Sequence, residues 1–89
     1  MTDAVEWSGH AKEMCRERGI YPEWVNVALG QPDAVFEACD GWHYLKRIAQ
    51  RQDRVLRLVT SAIIGGPVRA KLTTVFFDRR ARNLGPRNG

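Results

Sequence analysis

The chain has 89 residues, 44% of them hydrophobic and 27% charged, the profile of an ordinary folded domain rather than a disordered or fibrous one. That length fits one domain with a modest core, and no apolar run approaches the roughly 18 residues of a membrane span. The net charge of +4 hides an uneven split: residues 1–40 carry eight acids against three bases, and residues 41–89 carry eleven bases against Asp53 and Asp78.

The first residues, Met1 to Glu6, are acidic and lack the basic-then-apolar order of a secretory signal, so a cytoplasmic location is expected. Ser8 is a candidate N-cap for a first helix carrying Ala11, Met14 and Cys15, with Gly19 as its stop. Ile20 and Tyr21 lead to Pro22, which suits the first turn of a second helix. That helix presents Trp24, Val25, Ala28 and Leu29 on one face and ends at Gly30, with Pro32 beyond it.

After Pro32 the apolar period shortens. Ala34–Ala38 reads as a strand, Cys39-Asp40-Gly41 as a turn, and Trp42–Ala49 as a second strand with Trp42, Tyr44 and Ile48 on one side. Two further strands are expected over Val55–Ile64 and Val68–Phe77, the last alternating without interruption. The short connections imply antiparallel neighbours. The expected fold is α+β, with two N-terminal helices packed on one face of a four-stranded, mainly antiparallel sheet. It spans residues 1–82, with a flexible basic tail over 83–89.

If the apolar faces point inward, Arg47, Arg57, Arg69 and Lys71 converge on the outer face, with Arg79 just beyond. Like charges on neighbouring strands repel, so such a cluster is mildly costly unless an anion neutralises it. Guanidinium groups suit phosphate, which they grip as a bidentate fork. The plainer reading is that these side chains splay into water.

His10 and His43 are the only side chains that ordinarily titrate near neutrality, and are the acid–base candidates for cutting RNA through its 2′-hydroxyl. Either of them, or Tyr44, beside Arg47 and Arg57 supplies the parts such a reaction needs. A histidine in a helix's first turn, as His10 is, equally serves as a structural hydrogen-bonder. Cys15 and Cys39 are too few for a disulfide framework. With His10 and His43 they make a poorly spaced zinc set, so no metal and no cofactor are expected. No Gly-rich phosphate loop, nucleophile elbow or carboxylate pair is present.

Several short stretches carry a family resemblance. His10-Ala11, Glu17-Arg18-Gly19-Ile20, Tyr44-Leu45-Lys46-Arg47-Ile48, Arg54-Val55-Leu56-Arg57 and Thr74-Val75-Phe76-Phe77-Asp78-Arg79-Arg80 follow one another in order. The chain thereby resembles a bacterial family of small domains of unknown function, grouped with RelE-like and BrnT-like toxins. The resemblance runs from about Ser8 to Arg82. It implies two helices against an antiparallel sheet, RNA or the ribosome as target, ribosome-dependent mRNA cleavage, and an acidic antitoxin over the basic face. Met14 stands where many relatives have arginine. Two other readings stay open from the residues themselves: a non-catalytic module for nucleic acid or an acidic protein, and a homodimer paired through an exposed edge at Val75 and Phe77.

Overall fold

The computed structural model describes residues 5–81; Arg82 and the basic tail lie outside the described residues. Five strands and two helices follow in the order β1 (Val5–Trp7), α1 (Gly9–Arg18), α2 (Pro22–Gly30), β2 (Ala34–Ala38), β3 (Gly41–Ile48), β4 (Arg54–Thr60) and β5 (Ala70–Asp78). Short 3₁₀ turns at Ala49–Arg51 and Arg79–Ala81 follow β3 and β5. The class is α+β, and the sheet has five strands in the order β1-β5-β4-β3-β2. The four-strand expectation is corrected by β1, which runs parallel to β5 with Val5 beside Ala70 and Trp7 beside Leu72. The other pairings are antiparallel. No described helix is long and apolar enough to cross a membrane.

Both helices form where their caps allow. Ser8 Oγ accepts the N–H of Ala11 at 3.0 Å, satisfying one of the donors that a helix start leaves open. Gly19 ends α1 at φ 65°, a left-handed conformation that costs glycine nothing sterically. The helices bury Ala11, Cys15, Trp24, Val25, Ala28 and Leu29 against Tyr44, Ile48, Leu56, Leu58, Leu72 and Val75. Most of the resembled motif is therefore structural. Ala11 is fully buried, Ile20 nearly so, and Arg18 donates to the carbonyl of Val75 at 3.0 Å. Met14 offers its sulfur to the Val75 N–H at 3.4 Å, so it helps fasten α1 to β5.

The alternation expected along β5 fails at one residue. Val59 pairs with Thr74 but Thr60 pairs with Leu72, leaving Thr73 as a bulge whose hydroxyl donates to the Val59 carbonyl at 3.2 Å. Ala70 and Leu72 face the helices, and after the bulge Val75 and Phe77 do so instead. Thr74, Phe76 and Asp78 turn to the open face. β5 is also internal, with Val75 fully buried, so the edge expected at Val75 and Phe77 does not exist. The edges are β1 and β2. β4 stops at Thr60, four residues short of its expected end, where the Thr60 hydroxyl bonds the Ala62 carbonyl at 2.7 Å.

Candidate functional site

Two features meet at the open side of the sheet: a polar chain across its surface and a cleft at its end. The polar chain begins with register. Phe36 pairs with His43, Leu45 with Arg57, and Arg57 with Phe76, so these side chains share the face away from the helices. His43 Nε2 lies 2.7 Å from Asp40 Oδ1, and His43 Nδ1 lies 2.7 Å from an Arg57 terminal nitrogen. Arg57 Nε donates to Asp78 Oδ2 at 2.7 Å. The Phe36 ring stacks on His43 at 5.1 Å, with the Arg57 guanidinium 5.7 Å from its centroid.

Arginine only donates, so Nδ1 of His43 must accept and Nε2 must carry the proton given to Asp40. That assigns His43 as the neutral Nε2–H tautomer with both ring nitrogens engaged. The carboxyl of Asp40 is held below its usual range by the His43 hydrogen bond. Burial pushes the Asp78 carboxyl up, but bonds from the Arg80 N–H and the Arg57 guanidinium outweigh it and leave the group below its usual range.

The cleft lies where the turn between β3 and β4 meets the end of β5. It encloses about 610 Å³ and is lined by Arg47, Arg54, Arg79, Asp53, Asp78 and Phe77, among others. Arg54 and Arg79 are exposed and make no ion pair among the described residues. Its rim includes Gln52 and Asp53 at φ 59° and 60°, two consecutive non-glycine residues in left-handed geometry. Such conformations are uncommon and collect at functional sites. Arg51 holds the turn in place: its guanidinium lies 5.1 Å from the Phe77 ring centroid and 5.7 Å from that of Trp24, and it donates to the Gly19 carbonyl at 3.3 Å.

The expected residues are only partly brought together. Arg47 and Arg79 reach the cleft, and Arg57 touches it indirectly through Asp78. Lys71 lies beyond Thr60 at the far end of the sheet, about 20 Å from Val55 at strand rise, and Arg69 precedes β5 in a loop. The four-cation convergence is therefore replaced by a smaller one. Arg57 already has an anion, Asp78, which answers the repulsion that suggested phosphate there. His10 is exposed on α1, on the helix side, whereas His43 is on the open face; the two are not one site. Tyr44 also faces the helices, where its hydroxyl accepts the Ile64 N–H at 2.9 Å.

Arg54, Asp40, Asp78 and Phe36 were not singled out by sequence spacing. Of these, Arg54 and Asp78 carried a signal, each as part of a resembled motif. Among the described residues no group of His, Cys, Asp and Glu is arranged to hold a metal ion. Fold and site together define an α+β domain with a mixed five-stranded sheet and an arginine-lined terminal cleft. No family model matches the chain, and neither a curated protein nor a solved structure shows significant similarity to it.

Proposed function

We propose that the chain is an RNA-binding domain of the RelE/BrnT-like type, gripping the phosphodiester backbone in the cleft at the end of its sheet. The observation that carries this reading is the arrival of Arg47, Arg54 and Arg79 from three separate elements at one cleft. Asp78 is neutralised by Arg57, so the arginines outnumber the remaining acid, Asp53. Guanidinium groups on separate elements bind successive phosphate oxygens without sequence preference. The strained Gln52-Asp53 turn and the motif resemblance point the same way.

Cleavage with either His10 or His43 as the acid–base group forms no part of the proposal, because His10 stands on the helix side of the sheet and His43 is engaged at both nitrogens. The test is fluorescence anisotropy of a labelled single-stranded RNA with the full chain, alongside electrophoresis of the same RNA after incubation. Binding that weakens steeply with salt, and falls in Arg54→Ala with Arg79→Ala, supports the reading. Salt-insensitive binding refutes it.

A further inference from the structure

A second pocket, of about 380 Å³, opens on the helix side, where α1 turns into α2. Its walls are Trp7, Cys15, Ile20 and Tyr21, and Lys12 and Arg16 stand on its rim. The two cations are one helical turn apart, so they share a face of α1. Both are exposed, and neither makes an ion pair among the described residues. Among the described residues no carboxylate lines the pocket, although Glu13 and Glu17 lie on the same helix.

The charge of the pocket is set by these side chains rather than by the helices. The C-terminus of α1 and the N-terminus of α2 meet there, and their dipoles oppose one another. Burial pushes the Cys15 thiol up, so it stays protonated and serves as an apolar wall. Tyr21 is 59% exposed, an unusually open position for a ring beside an apolar cavity.

We infer that this pocket binds a small apolar monocarboxylate, its chain against Trp7, Ile20 and Tyr21 and its carboxylate between Lys12 and Arg16. The volume equals that of about a dozen bulk water molecules, enough for a chain of several methylenes and a headgroup. An apolar body displaces water that has few polar partners on the walls. The two cations then select an acid over an alcohol of the same length. The RNA reading is independent of this pocket, which shares no lining residue with the arginine cleft.

The experiment is an NMR titration of the ¹⁵N-labelled full chain with sodium heptanoate and with 1-heptanol, following the Trp7 indole N–H. A saturable Trp7 shift with heptanoate is expected, with affinity about tenfold above that of the alcohol, the size expected from two exposed ion pairs. Lys12→Glu with Arg16→Glu removes the preference while the remaining resonances report an intact fold. Tyr21→Ala weakens acid and alcohol alike. A Trp7 shift that does not saturate, or equal affinity for acid and alcohol, overturns the inference.

Discussion

Asp78 holds Arg57 at 2.7 Å on the open face of the sheet, while its other carboxylate oxygen accepts the Arg80 N–H at 2.9 Å. One residue thus fixes the polar chain that runs to Asp40 and also caps the turn that carries Arg79 to the cleft. Asp78→Asn should lower stability by about 2–3 kcal/mol, because Arg57 is only 18% exposed and loses its anion. Urea unfolding with an unchanged m-value checks this.

The same pair makes stability depend on pH. The folded Asp78 carboxyl lies below its ordinary value, so its contribution is complete above the unfolded-state value of about 3.9 and is lost as pH falls through the folded one. The stability gap between the parent chain and Asp78→Asn should therefore be constant from pH 7 to 5 and shrink below about pH 4. A gap that grows on acidification contradicts the assignment.

His43 should carry its proton on Nε2, since Nδ1 faces an arginine that can only donate. Long-range ¹H–¹⁵N correlation spectra read this directly from the two ring nitrogens. Arg57→Met should free Nδ1 and allow the other tautomer to appear.

Gly41 stands at φ 135°, and a Cβ there would lie 2.3 Å from the Thr60 carbonyl oxygen. Gly41→Ala should cost about 3 kcal/mol, since strained backbone and steric overlap add. Gly9 has open space around it in the first turn of α1, so Gly9→Ala should be neutral or stabilise by about 0.5 kcal/mol. Thermal unfolding of the two variants side by side tests the contrast.

Met14 accepts the Val75 N–H beside the β5 bulge. Met14→Ala should destabilise by about 1–2 kcal/mol, a large-to-small change at a half-buried site. Hydrogen exchange at the Val75 amide should accelerate in the same variant.

The helices were legible because their signals are local: Ser8, Gly19 and Pro22 act within a turn of where they stand, and the buried face of α2 follows from its 3.6-residue period. β2 was equally plain. The Thr73 bulge was not, because two adjacent threonines fit a regular strand and only pairing with Val59 and Thr60 reveals the extra residue. Three-residue β1 is too short to show a period, and it exists because Leu72 offers its carbonyl to the Ser8 N–H at 3.1 Å. The outward orientation of Arg47 and Arg57 could be read from alternation. The pairing of Arg57 with Asp78, 21 residues away, could not, and it moved the weight of the site to Arg54 and Arg79.

Binding of RNA phosphates in the arginine cleft, as proposed above, is measured most directly by the slope of affinity against salt. Three arginines on a single strand predict a slope of log affinity against log salt of about −2, and Arg54→Ala with Arg79→Ala should reduce it by about 1.4. An affinity independent of salt, or a slope the double substitution leaves unchanged, would contradict the account.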